Sequence, residues 1–148
     1  MKDNLVQFVF ILIALVVGGA LEDMLPAVGG IGIPVLLGLA VFFATVTRAP
    51  VWILTAVSAG ALEEALSAQP AATAVVFFVA LATAVRFFRE LPVWMVVAYP
   101  AYRVWLGLAA DDPEACVHVL LALPVGILST AAVFAVTSRL WRKAGADE

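Results

Sequence analysis

Glu63 and Glu64 stand side by side in the stretch GALEEALSAQP, inside an otherwise apolar run. Hydrocarbon does not solvate an ionised carboxylate, so such residues must face a bundle interior, a polar cavity or the lipid headgroups, usually with a partner. The other reactive side chains are sparse. Cys116 and His118 follow closely behind Asp111, Asp112 and Glu114, but two residues apart on a helix they point to different faces, and a metal site needs ligands that converge. No metal ligand set is therefore read from this cluster, and His118 reads as an interfacial histidine. The single cysteine cannot form an intramolecular disulfide. No set of nucleophile, base and orienting group can be assembled, and nothing in the sequence calls for a cofactor.

The elements that must position these residues follow from composition. Of 148 residues 65% are hydrophobic and only 13% are charged, with a mean hydropathy of +1.12, which is more apolar surface than a soluble domain of this size can hide. Charges and turn residues divide the chain into six apolar runs, 5–21, 33–47, 51–67, 71–88, 91–109 and 116–138. They lack the alternation of barrel strands, and every backbone polar group in a bilayer needs an internal partner, so the runs predict helices. The expected fold is an all-α integral membrane protein, a single domain over residues 1–148 forming a six-helix transmembrane bundle. The connections TRAP, SAQPAA, RELP and ADDPEA are short, which makes consecutive helices antiparallel neighbours. Pro100 and Pro124 fall mid-span, where kinks are expected.

Orientation follows from the basic residues. Lys2, Arg48, Arg86, Arg89, Arg139, Arg142 and Lys143 all fall on one side of this arrangement, whereas Glu22, Asp23, Glu63, Glu64, Asp111, Asp112 and Glu114 fall on the other. The positive-inside rule then puts both termini in the cytoplasm. Trp52, Trp94 and Trp141 lie at the expected cytoplasmic ends and Trp105 toward the outer end of the fifth span. Gly18 and Ala20 give the first span a small-x-small pair, but the charge pattern is complete only if that span is retained. The pI near 5.0 averages two unlike faces, and no nucleic-acid-binding motif is present.

Arg103 is the basic residue outside the cytoplasmic set. It lies about 12 residues, roughly 18 Å, along the fifth span, and Glu63 lies equally far along the third. Matched depth makes Glu63 or Glu64 its expected ion-pair partner, the alternative being that Arg103 snorkels to the outer headgroups and the two glutamates are outer-surface residues. On helical spacing Ala56, Gly60, Glu64 and Ser67 form one small and polar stripe and Tyr99, Arg103 and Gly107 another, and an arrangement in which the two face each other is open to them. Glu63, Glu64, Ser67, Tyr99 and Arg103 are thus the candidate intramembrane polar network or partner-binding residues. A short echo, GALEDML at 19–25 and GALEEAL at 60–66, makes the first and third spans end alike.

Paired glutamates on a membrane helix also occur in the CPBP intramembrane proteases, whose motif requires an Arg four residues after the second Glu and histidines on other helices. Ala68 stands at that position here and His118 is the single histidine, so the glutamates read as structural or partner-binding.

The chain as a whole resembles the rod shape-determining protein MreD family. The similarity rests on Pro34 opening the second span, the basic turn TRAP, GALEEALS with a Pro just beyond, RFFRELPVW and the basic end SRLWRK. Glu64 matches an Asp usual in that family's third span, whereas Ala68 and Ala72 stand where glycines are common. The resemblance implies a multi-pass, non-enzymatic component of the bacterial inner (plasma) membrane that acts in cell elongation. Its implied partners are membrane lipids and an MreC-like single-span protein, and through the latter peptidoglycan synthases and the MreB filament. The family is also similar in fold to the substrate-binding components of energy-coupling factor transporters. That supplies the alternative function, capture of a vitamin-type small molecule, which would need an outward-facing pocket with several polar groups aimed at a ligand.

Overall fold

In the computed structural model, which describes residues 2–27, 32–67, 69–111 and 119–145, the described chain is all-helical. Its elements are α1 (Lys2–Met24), α2 (Val35–Val46), α3 (Val51–Ser67), α4 (Thr73–Phe87), α5 (Leu91–Ala109) and α6 (Val119–Lys143). A helix occurs at each of the six apolar runs. Residues 112–118, which include Cys116 and His118, lie outside the described residues.

The helices are unequal. Asn4–Met24 of α1 and Ala122–Lys143 of α6 are long and apolar enough to cross a membrane, whereas α2 and α4 are shorter apolar helices. The 12 residues of α2 rise only about 18 Å, against about 30 Å of hydrocarbon. Its limits are set locally. Pro34, which has no N–H to offer, stands at its N-cap, and extended Thr47 ends it, returning its backbone N–H to the Phe43 carbonyl.

Ten consecutive residues of α2, Val35 to Ala44, are buried, as expected of a helix apolar on every side. It packs against α1, α3, α4, α5 and α6, which makes it the core around which the others stand. Each helix also touches the next in sequence, in keeping with the short connections. At one end of α2, Phe42 and Phe43 meet Phe10 of α1 and Phe134 and Trp141 of α6 edge-on, with centroids 5.1–6.4 Å apart. Trp141 is only 2% exposed, so it is a core residue and not the interfacial anchor that its position suggested.

Close backbone approach fixes α3 against α4. A Cβ on Gly60 would stand 2.6 Å from the Val75 Cα, so only glycine fits there. Pro100 and Pro124 lie inside α5 and α6, which continue through them.

Candidate functional site: a polar cavity at one end of the bundle

The ends of α1, α3 and α5 and the start of α2 enclose a cavity of about 350 Å³. Its wall includes Glu22, Asp23, Glu63, Ser67, Gln69, Tyr99, Tyr102 and Arg103. Four of the five candidate residues, Glu63, Ser67, Tyr99 and Arg103, are therefore brought together. Glu64 is not among them.

Glu63 is the buried carboxyl of the group, 7% exposed. Its Oε1 accepts from Tyr102 Oη at 3.2 Å and from Ser67 Oγ, one turn on, at 3.2 Å. Tyr102 in turn accepts from Gln69 Nε2 at 3.1 Å and packs its ring against Phe77 and Phe78 of α4. Glu22 at the end of α1 faces Glu63 within hydrogen-bonding reach, and its Oε2 accepts the Leu36 N–H at 2.7 Å. The hydroxyl of Tyr99 donates to the Gly32 carbonyl at 2.6 Å, fastening α5 to the segment that leads into α2.

Glu64, one residue from Glu63 and so about 100° around the helix, points to α4. Its Oε2 accepts the Ala72 N–H and its Oε1 the Val75 N–H, each at 3.0 Å. Neither α2 nor α4 has a side-chain cap of its own, Pro34 and Ala72 holding the N-cap positions. Glu22 and Glu64 supply from the preceding helices the acceptors that the orphan N–H groups need. Ala72 carries a φ of +67°, the left-handed conformation for which glycine is suited.

Two expectations are corrected by this arrangement. No ion pair joins Arg103 to Glu63 or Glu64 among the described residues: Glu64 is turned onto the α4 amides and Glu63 is held by Tyr102, Ser67 and Glu22. Equal depth puts two residues at one level without fixing the direction in which each points. The two stripes also do not face each other, because Gly60 and Glu64 meet α4 while it is Glu63 that meets α5. Arg103 stands in the cavity wall with its Nε buried and without a hydrogen-bond partner.

Glu22, Tyr102 and Gln69 are the members of the hydrogen-bonded network absent from the candidate set. Glu22 carried a signal, since it is the counterpart of Glu63 in the GALE echo. Tyr102 carried a weaker one, as a polar aromatic beside Arg103. No group of three or more His, Cys, Asp or Glu side chains suited to a metal occurs among the described residues. No protein-family model, no curated protein and no solved structure matches the chain.

Proposed function

We propose that the chain is a six-span protein of the bacterial inner membrane, with both termini cytoplasmic, acting as a non-enzymatic MreD-like scaffold of the cell-elongation machinery. The membrane part of this reading is supported by the outer faces of the helices. Leu5, Phe8, Leu12 and Val16 of α1, Leu108 of α5 and Leu128 and Val136 of α6 are exposed, a distribution that lipid solvates and water does not.

The observation that carries the scaffold reading is how the acidic residues are used. Glu22, Glu63 and Glu64, the groups best suited to acid–base work, are engaged in joining helix ends to one another. A scaffold needs such rigidity, and these carboxyls supply it by tying the starts of α2 and α4 and the side of α5 to the preceding helices. An MreC-like single-span protein is the expected partner, linking the chain to peptidoglycan synthases and MreB. Co-expression and affinity purification in mild detergent tests this: the partner should co-elute in a fixed ratio and be lost when its membrane span is replaced by a polyleucine helix. Absence of any co-elution would reject the scaffold assignment.

A second reading, capture of a small molecule as in energy-coupling factor transporters, is favoured by the polar cavity, whose volume admits a ligand of modest size. A vitamin-type compound that remains with the purified protein, together with failure to bind an MreC-like partner, would support that reading over the first.

A further inference from the structure

Within the cavity wall, Arg103 Nε is a buried donor with no acceptor. An unpaired buried donor is costly, and one on a guanidinium more so. Carboxyl groups are close by, yet the fold directs them elsewhere. Glu63 is held by Tyr102 and Ser67, and Glu22 by the Leu36 amide and by Glu63 itself. Asp23, in contrast, is exposed at the rim.

The signs of these charges decide what can enter. A simple anion would suit Arg103 but would meet the Asp23 carboxylate and the Glu22–Glu63 pair, which shares one proton and keeps one negative charge, in the same wall. A simple cation would suit the carboxyl groups but would be repelled by the Arg103 guanidinium that lines the same cavity. A ligand that carries both signs can set each against its complement in this wall.

We propose that this cavity binds a small zwitterion, a primary ammonium joined to a phosphate or carboxylate, with the anionic group on Arg103 and the ammonium on Asp23. Such chemistry is offered by the head of an ethanolamine phospholipid or by a free molecule of the same kind. The site goes beyond the scaffold reading and does not require a protein partner.

The test uses the full chain in dodecyl maltoside, with the melting temperature followed against O-phosphoethanolamine, inorganic phosphate and ethanolamine in parallel. O-Phosphoethanolamine should give a saturable rise that neither half gives alone. Asp23→Asn, on an exposed side chain that the fold does not need, and Arg103→Gln should each weaken it roughly tenfold or more, the loss of one charge-assisted hydrogen bond. A second arm compares phosphatidylglycerol nanodiscs with and without phosphatidylethanolamine, using the same variants. A variant-sensitive rise confined to the nanodiscs assigns the site to the lipid head, and one confined to the soluble probe assigns it to a free zwitterion. No rise in either arm, a rise that phosphate or ethanolamine alone reproduces, or one that Asp23→Asn leaves intact overturns the proposal.

Discussion

The carboxyl groups of Glu22 and Glu63 meet between α1 and α3, and they hold the same place in the two copies of one short pattern, GALEDML and GALEEAL. The echo thus has a spatial counterpart. Two helices that end alike bring equivalent carboxyls together, and from that point the chain turns into α2 and α4, each capped by a glutamate of the helix before it.

Because these two carboxyls lie within hydrogen-bonding reach of each other, their substitutions should not be independent. In a cycle of Glu22→Leu, Glu63→Leu and the double variant, unfolding in detergent should give a coupling energy of about 0.5 to 3 kcal/mol. Strict additivity would mean that the two groups do not interact.

Glu64 serves the start of α4, so its removal should act locally. Glu64→Ala should cost about 1 kcal/mol, within the usual range for a lost cap, and should raise hydrogen exchange first at Ala72 and Val75. Its effect should add to that of Arg103→Leu within about 0.5 kcal/mol, since the two share no bond. A larger coupling would restore the ion pair that the geometry excludes.

At Ala72 the left-handed backbone costs an alanine about 1 to 2 kcal/mol, and the extra unfolded-state freedom of glycine returns about half of that. Ala72→Gly is therefore expected to stabilise the protein by up to about 1 kcal/mol, seen as a higher melting temperature. A lower one would argue against this backbone conformation.

Gly60 sets two effects against each other. Alanine gains about 0.5 to 1 kcal/mol from helix propensity, but its Cβ would lie 2.6 Å from the Val75 Cα, and backbone cannot yield as a side-chain tip can. Overpacking of about 1 to 3 kcal/mol should win, so Gly60→Ala is expected to lower stability. The thermal midpoint in detergent gives the sign directly.

The proposed topology makes a separate prediction. In a Cys116→Ser background, a cysteine at Asp23 should react with an impermeant maleimide in intact cells, and one at Lys143 only after permeabilisation. Labelling of position 143 from outside would reject the orientation.

Helix content and most helix limits were legible in the sequence, because apolar runs bounded by charge, proline and short turns leave the backbone little alternative. The third and fifth runs, 51–67 and 91–109, coincide with α3 and α5. What the sequence did not determine is direction around each helix. A step of one residue turns a side chain by about 100°, so Glu63 and Glu64 serve different neighbours although they are adjacent. Which neighbour each meets depends on how α1, α4 and α5 are set around α3, and that in turn on the burial of α2 at the centre. Trp141 shows the same limit: its place near a basic chain end suggested an interface, and the packing of α6 on α1 and α2 put it in the core. Local propensity decides which segments are helices, whereas partners for buried polar groups exist only once the helices have packed, so the cavity and its unpaired arginine belong to the tertiary structure alone.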